Sequence, residues 1–329
     1  MAIHETLVLP PERDELWELA RQIGVEHAAT RLPSAGSWRG TETAETTDET
    51  RPWDFEPLMH LTQRFADAGF ELVAIEDIYP PLEYVRMGHD RERGVEAMSS
   101  LVEHLGALDV PVLCYTWSAA FNWVRTSTTT PSRGDSLTTS YDHELLERAP
   151  TADTSITETE LWENLEYFLE RIVPVAEEAG VRLALHPDDP PVSPVRGVPR
   201  ILTSPDAVER ALGLVDSDHH GITFCQGTFG AMGVDLPRTI RRFADDVYYV
   251  HLRDVDGSPE QFVETWHDDG PTDMVEAIET WREVGFDGPM RPDHVPTMAG
   301  ESNDAPGYEA KGRLFAIGYM RGLLEATRS

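Results

Sequence analysis

Four side chains of types that bind transition metals occur at the ends of four successive predicted strands. They are His186 in LALHPDDPP, Cys225 in GITFCQGTF, His251 in YYVHLRDV and Asp293 in GPMRPDHVP. The intervals between them, 39, 26 and 42 residues, each suit about one strand plus one helix. In a (β/α)8 barrel the carboxyl ends of the strands meet at one mouth, which holds the active site. The set therefore predicts a site for a divalent transition ion with room for a substrate.

Each of these side chains also has an ordinary interpretation when taken alone. A histidine at a strand end can be a hydrogen-bonded structural residue, Cys225 a small buried hydrophobe and Asp293 a helix cap or turn residue. Four ligand types at the same place in consecutive strand–helix units favour the metal site.

Strand periodicity places two arginines beside the predicted ligands. Side chains two apart share a face of a strand, so Arg253 accompanies His251 and Arg291 accompanies Asp293. Two guanidinium groups beside a dication indicate a bound anion, and a carboxylate substrate would satisfy both. The alternative is that these arginines pair with acids of the protein, for which Asp188, Asp189 and Asp254 are the candidates.

Further side chains near these motifs have proton-transfer or anion-binding chemistry. His294 directly follows Asp293, and Tyr308 lies at the start of the last predicted helix; either is a candidate general acid or base. Additional candidates for substrate binding are Arg125 in FNWVRT, His267 in ETWHDDG and Arg313 in the first turns of the last helix.

Apolar runs alternate with amphipathic helical runs along the whole chain. Eight strands are predicted, near Thr6–Leu9, Glu26–Leu32, Glu71–Asp77, Val112–Trp117, Arg182–His186, Gly221–Cys225, Val247–Leu252 and Pro289–Asp293. This alternation predicts an α/β fold, a (β/α)8 TIM barrel formed as one domain over residues 1–329.

Two polar stretches interrupt this rhythm. Residues 36–50 are rich in Thr and Glu, and residues 125–155 are rich in Ser, Thr, Pro and Asp. Both are predicted to be insertions without regular structure. The second one leaves from the predicted catalytic face, so we expect it to be a lid over the substrate; the alternative is a disordered surface loop.

The charge of the chain restricts its partners and its surroundings. The 329 residues carry a net charge of −32, and Lys311 is the one lysine among 27 basic residues. Such a surface repels nucleic acid and anionic lipid. Because concentrated salt screens this self-repulsion, the composition predicts a halophilic, cytoplasmic protein; an ordinary acidic protein is the alternative. No run is long enough to span a membrane, and the start lacks signal-peptide features.

Several long motifs resemble the D-mannonate dehydratase family, whose members have a metal-dependent, xylose-isomerase-like TIM barrel. The similarity is dense from about Leu183 to Leu323 and includes LALHPDDPP, GITFCQGTF, HLRDV, FVETWHDDGPTDM, GFDGPMRPDHVPTMAGE and GYEAKGRLFAIGYMRGL. The resemblance implies that His186, Cys225, His251 and Asp293 bind the metal and that His294 and Tyr308 form the acid/base pair. It further implies Mn²⁺ as the ion, although the ligand types also accept Fe²⁺, Co²⁺ or Ni²⁺.

The implied reaction is the loss of water from D-mannonate to give 2-keto-3-deoxy-D-gluconate, a step of hexuronate (glucuronate) breakdown. The chain departs from the family at Thr116, where many members have asparagine, a longer side chain that can both donate and accept hydrogen bonds. If this side chain contacts a sugar hydroxyl, the departure would change the substrate preference. Two alternatives stay open, another metal-dependent sugar-acid dehydratase or sugar isomerase or epimerase on the same barrel, and a non-catalytic paralogue that binds a sugar acid. Because large barrels often self-associate, we also expect a homo-oligomer.

Overall fold

The computed structural model describes residues 3–33, 51–76 and 81–328. The strands in these ranges are β1 (His4–Val8), β2 (His27–Arg31), β3 (Glu71–Glu76), β4 (Val112–Thr116), β5 (Ser127–Pro131), β6 (Leu137–Asp142), β7 (Arg182–His186), β8 (His220–Cys225), β9 (Val247–Leu252), β10 (Val255–Ser258), β11 (Gln261–Glu264) and β12 (Pro289–Pro292). The predicted insertion at residues 36–50 lies outside the described residues.

The helices of the same ranges lie mainly between the strands of the barrel. They are α1 (Glu15–Gln22), α2 (Phe55–Asp67), α3 (Pro81–Arg86), α4 (Arg91–Ala107), α5 (His143–Leu146), α6 (Glu158–Ala179), α7 (Pro205–Leu212), α8 (Gln226–Ala231), α9 (Leu236–Phe243), α10 (Met274–Glu283) and α11 (Ala310–Ala326). None of these helices has both the length and the apolar run needed to cross a membrane.

Eight parallel strands close into a barrel in the order β1-β12-β9-β8-β7-β4-β3-β2. The predicted (β/α)8 barrel is therefore confirmed, and all eight predicted strands are present in it. Their buried apolar faces pack against the surrounding helices in one large core, which includes Trp17, Phe168 and Trp281. Burial on both faces explains why these strands are recognisable as short, nearly continuous apolar runs.

A second, antiparallel sheet with the order β10-β11-β6-β5 lies outside the barrel wall. We call it the accessory sheet. Two of its strands, β5 and β6, fall within residues 125–155, so the absence of regular structure predicted there is wrong. The polar Ser/Thr composition concealed the strands, although Thr is β-branched and suits an extended backbone. The turn between the two strands contains Gly134, whose φ of 64° suits glycine.

Candidate active site

The predicted metal ligands lie at the carboxyl ends of neighbouring barrel strands. His186 ends β7, Cys225 ends β8, His251 is the penultimate residue of β9, and Asp293 directly follows β12. Cys225 and His251 are register partners in the pairing of β8 with β9. Parallel pairing thus brings together residues that are far apart in the sequence, as the barrel prediction requires.

Three of the four candidate ligands converge on one point. One donor atom each from His186, Cys225 and His251 lies within 4.8 Å of the others. Nε2 of His251 is buried and makes no hydrogen bond within the described ranges. A buried nitrogen without a hydrogen bond, beside a sulfur and a second imidazole, fits a transition ion such as Mn²⁺, Fe²⁺ or Zn²⁺.

Asp293 lies beside this trio. Its Oδ2 is 4.0 Å from Sγ of Cys225 and 3.9 Å from Nδ1 of His251. Both carboxylate oxygens also contact arginines, Oδ1 at 2.7 Å from Nη1 of Arg291 and Oδ2 at 3.1 Å from Nε of Arg253. Despite complete burial, these positive charges hold the pKa of Asp293 well below its usual range. The carboxylate is therefore ionised and adjacent to the trio, although it is not one of the donors that all lie within 4.8 Å of one another.

The charge state of the sulfur suits metal binding. Burial alone would raise the pKa of Cys225, but Arg253 and His186 lower it well below its usual value. For His186, burial opposes protonation, yet the negative sulfur raises the imidazole pKa to about 9. These shifts favour the imidazolium form of His186, which is partly buried, and the thiolate form of Cys225, which is buried. An incoming dication would displace the imidazole proton and keep the thiolate.

The candidate acid/base pair lies next to Asp293. Nε2 of His294 is 3.1 Å from the hydroxyl of Tyr308, and that hydroxyl can also donate to Oδ1 of Asp293 at 3.2 Å. Burial and the negative charge of Asp293 raise the pKa of Tyr308 far above its usual value, so the phenol stays protonated. Two groups able to transfer protons therefore lie in hydrogen-bond contact at the edge of the candidate metal site.

Arg253 is enclosed by acidic groups. Its guanidinium donates to both oxygens of Glu264 at 2.9 Å and to Oδ2 of Asp189 at 2.6 Å. Its Nε contacts Sγ of Cys225 at 3.3 Å and Oδ2 of Asp293 at 3.1 Å. The geometry therefore agrees with the alternative interpretation, in which Arg253 pairs with acids of the protein. Arg253 holds the donors of the site in place, and its contact with substrate stays a prediction.

Arg291 has a similar environment on the other side of the mouth. It donates to Glu76 at 2.7 and 3.0 Å and to Asp293 at 2.7 Å. Glu76 also accepts a hydrogen bond from the Tyr249 hydroxyl at 2.6 Å and lies 3.6 Å from Nε2 of His251. Glu76 thus fixes the orientation of Arg291, which in turn fixes a carboxylate of the candidate metal site.

The remaining predicted substrate contacts are also buried and already make hydrogen bonds. Nε2 of His267 contacts the carbonyl oxygen of Leu252 at 2.8 Å, and burial lowers the pKa of this histidine to about 4. Nη1 of Arg313 donates to the carbonyl of Val8 at 2.7 Å, while its buried Nε makes no hydrogen bond in the described part of the chain. Arg313 therefore retains a donor for another group.

Arg125 lies between β4 and β5, and its side chain reaches the same acidic groups. It donates to both oxygens of Asp189, at 2.7 and 2.9 Å, and to Oε1 of Glu264 at 2.5 Å. Sequence reasoning identified Arg125 but missed Glu76, Asp189 as a member of the site, and Glu264. A carboxylate at a strand end was a usable signal for Glu76, whereas Glu264 lies on the unpredicted accessory sheet.

Sequence reasoning also overlooked Trp123. Its ring centroid is 5.2 Å from that of His294, and 36 % of the residue is exposed. The guanidinium of Arg125 lies 4.9 Å from the same ring. A partly exposed indole against the candidate acid/base pair offers an apolar surface at the mouth.

A closed (β/α)8 barrel that gathers imidazole, thiolate and carboxylate donors at its mouth defines a metal-dependent TIM-barrel enzyme. The family model for D-mannonate dehydratase (UxuA) matches residues 39–155 and 150–329. The chain belongs to this family of metal-dependent hydro-lyases.

Individual relatives agree with this assignment. Mannonate dehydratase 2 of Halalkalibacterium halodurans is 34 % identical over 84 % of this chain and 88 % of its own length. Mannonate dehydratase of Thermotoga maritima is 34 % identical over 83 % of this chain and 86 % of its own length. The crystal structure of mannonate dehydratase from Streptococcus suis serotype 2 superposes with a TM-score of 0.86 at 29 % identity, covering 99 % of this chain and 93 % of that one.

Xylose-isomerase-like barrels share the fold at greater distance. A xylose isomerase domain protein from Planctomyces limnophilus superposes with a TM-score of 0.62 at 14 % identity, covering 99 % of this chain and 98 % of that one. This similarity confirms the predicted xylose-isomerase-like fold.

Proposed function

We propose that the protein catalyses the dehydration of D-mannonate to 2-keto-3-deoxy-D-gluconate, as a step of hexuronate breakdown. The observation that carries the proposal is the contact of His294 with Tyr308, 3.1 Å apart, beside the candidate metal site. Loss of water from a hydroxy acid needs one group to remove a proton and another to protonate the departing hydroxyl. Membership of the D-mannonate dehydratase family supports this substrate.

His186, Cys225, His251 and Asp293 would hold the ion, and we propose Mn²⁺. The proposal of four ligands is supported by the three convergent donors and by the adjacent ionised Asp293. When bound, the ion supplies Lewis-acid stabilisation of the negative charge that develops on the substrate carboxylate. The mixed donor set disfavours Mg²⁺ and Ca²⁺ and also accepts Fe²⁺, Co²⁺ or Ni²⁺.

The protein's own groups would perform the proton transfers. One member of the His294–Tyr308 pair takes the proton from C2 of the substrate. The electron pair of that C–H bond forms the C2–C3 double bond as hydroxide leaves C3, and the other member protonates it to give water. The resulting enol then gains a proton at C3, loses the proton of its C2 hydroxyl, and becomes the 2-keto-3-deoxy acid.

The cationic side chains around the pair would orient the acid sugar. Arg313 retains an unused donor, and Arg125 borders the exposed ring of Trp123. Arg253 and Arg291 are already paired with acids, so we propose that they act mainly by holding Asp293 and Cys225. Strand β6 of residues 125–155 pairs with β11, which brings Glu264 to the mouth, and this pairing supports a covering role for residues 125–155.

The deciding experiment is a 2-keto-3-deoxy acid assay on metal-stripped protein in molar KCl. D-mannonate and D-gluconate are supplied separately, each with and without Mn²⁺. We expect product from D-mannonate alone, and only with Mn²⁺. Metal uptake without product from either acid would contradict the proposal, and parallel assays with aldoses would then test an isomerase or epimerase activity. Omitting the KCl tests the proposed halophilic character separately.

A further inference from the structure

Glu264 connects the accessory sheet to the candidate acid/base pair. It lies on β11, outside the barrel, and only 2 % of it is exposed. Its Oε1 lies 2.9 Å from Nδ1 of His294, and the opposite nitrogen of that imidazole faces the Tyr308 hydroxyl at 3.1 Å. The carboxylate, the imidazole and the phenol therefore form a continuous row.

Two arginines surround the same carboxylate. Arg253 donates to both of its oxygens at 2.9 Å, and Arg125 donates to Oε1 at 2.5 Å. Although burial raises the pKa of Glu264, Arg253, His294 and Arg125 together lower it to about 2. The group is therefore ionised. An ionised carboxylate only accepts hydrogen bonds, so the contact at 2.9 Å requires a proton on Nδ1 of His294. Nη2 of Arg125 also lies 3.5 Å from this nitrogen, but it donates to Oε1 of Glu264 at the shorter distance of 2.5 Å.

The proton on Nδ1 determines what the other nitrogen can do. In a neutral imidazole with Nδ1 protonated, Nε2 carries the lone pair. This nitrogen lies 3.1 Å from the Tyr308 hydroxyl, whose single proton can go either to it or to Oδ1 of Asp293 at 3.2 Å. When the proton goes to Nε2, that nitrogen is an acceptor at the place where the proposed proton transfers occur. The opposite tautomer would leave Glu264 without its third donor and would put a proton where an acceptor is needed.

The accessory sheet holds Glu264 in this position. Strand β11 pairs with β6, and the hydroxyl of Thr138 on β6 donates to the backbone carbonyl of Glu264 at 3.1 Å. The guanidinium of Arg125 lies 4.8 Å from the ring of Phe262, two residues before Glu264. The segment after β4, which contains β6, must therefore pair with the segment after β9, which contains β11. Only then does the carboxylate of Glu264 reach the mouth.

We propose that Glu264 is a positioning residue that fixes the tautomer and the orientation of His294, and that the accessory sheet exists in part to deliver it. The expected effect of Glu264 on catalysis rests on the proposed function. The position of the proton on Nδ1 of His294 does not depend on which substrate the protein uses.

The chain supplies a matched control for this residue. Asp189 is a second buried carboxylate of the same cluster, and it also accepts hydrogen bonds from Arg125 and Arg253. No hydrogen bond joins Asp189 to His294 among the described contacts, although the two come within 4.8 Å. Glu264→Gln and Asp189→Asn each remove one negative charge from the cluster, but only the first alters the partner of His294.

The first test locates the proton directly, by long-range ¹H–¹⁵N correlation on metal-free protein labelled with ¹⁵N-histidine under conditions where the imidazole is neutral. The His294 signals are assigned by their loss in His294→Asn. We expect a protonated Nδ1 in the wild type and in Asp189→Asn, and a changed tautomer population in Glu264→Gln. A protonated Nε2 in the wild type overturns the proposal, even if no variant folds. An unchanged tautomer in folded Glu264→Gln does so as well.

The second test uses kinetics with D-mannonate and Mn²⁺. We expect Glu264→Gln to lower kcat by about 100-fold with little change in KM or metal content, and to lower it more than Asp189→Asn does. In a His294→Asn background, adding Glu264→Gln should cost no further activity, because the two residues act as one unit. If the double variant instead lost activity by the product of the two single-variant factors, the proposal would be overturned. A wild type inactive on D-mannonate would contradict the proposed function alone, and the proton location would still decide this inference.

Discussion

Nε of Arg253 lies 3.3 Å from Sγ of Cys225, and both side chains are buried. A permanent cation at this distance stabilises a thiolate in a place where burial alone would keep the thiol protonated. Arg253 thus favours the charged form of this candidate sulfur ligand. The contact also explains why an arginine lies beside a candidate metal site, since it faces a sulfur anion and the carboxylates of Glu264, Asp189 and Asp293.

Replacement of Cys225 by alanine should remove most of the metal affinity. The variant loses the charged donor of the trio, so we expect Mn²⁺ to bind at least about tenfold more weakly. Metal content after dialysis, measured by mass spectrometry, and titration with Mn²⁺ provide the values. Cys114→Ala is the matched control, because Cys114 is also buried and unbridged but contacts Thr223 outside the trio. Equal affinity in the two variants would exclude Cys225 as a ligand.

His294→Asn and Tyr308→Phe should separate catalysis from metal binding. Each removes one group of the acid/base pair and no candidate ligand, so kcat should fall by about 100-fold or more while the metal content stays unchanged. Tyr319→Phe on α11 serves as the control for losing a tyrosine hydroxyl. Near-normal turnover in both site variants would show that other groups carry the protons.

Glu76→Gln should destabilise the barrel mouth. The change leaves the buried Arg291 without the carboxylate that it contacts at 2.7 and 3.0 Å, and breaking such a pair costs about 3 kcal/mol. Urea unfolding of metal-free protein in KCl measures this free energy. Glu283→Gln breaks an exposed pair with Arg241 and should have little effect. Similar small losses in both variants would mean that the buried pair contributes no more than the exposed one.

The barrel could be predicted from the sequence because its strands have a strong local signal. Arg182–His186 and Val247–Leu252 were predicted with the bounds that the structure has, since strands buried on both faces form apolar runs. The positions of His186 and Cys225 followed from these strand ends. The accessory sheet was missed because β5 and β6 consist largely of Ser and Thr, whose polarity suggested a loop.

The charged contacts of the site could not be predicted in the same way. Glu76 and Arg291 are 215 residues apart, and Arg125 and Glu264 are 139 apart. No local sequence pattern connects residues so far apart. Strand periodicity therefore indicates that an arginine points into the mouth, but not which carboxylate it contacts. Which carboxylate meets it depends on closure of the barrel and on pairing between the two excursions that form the accessory sheet.

The buried, neutral His267 should make stability depend on pH in the mildly acidic range. Its pKa is lowered to about 4 when folded, by burial first of all, against an ordinary value of 6.5. Below pH 6.5 the unfolded chain therefore binds a proton that the folded one does not, and stability falls as the pH drops toward 4. The full contribution is about 3 kcal/mol. His267→Gln retains a donor for the Leu252 carbonyl but cannot titrate. Chemical unfolding of both proteins across this range should show wild type losing stability relative to the variant as the pH decreases, and a constant difference would mean that His267 is not the group responsible.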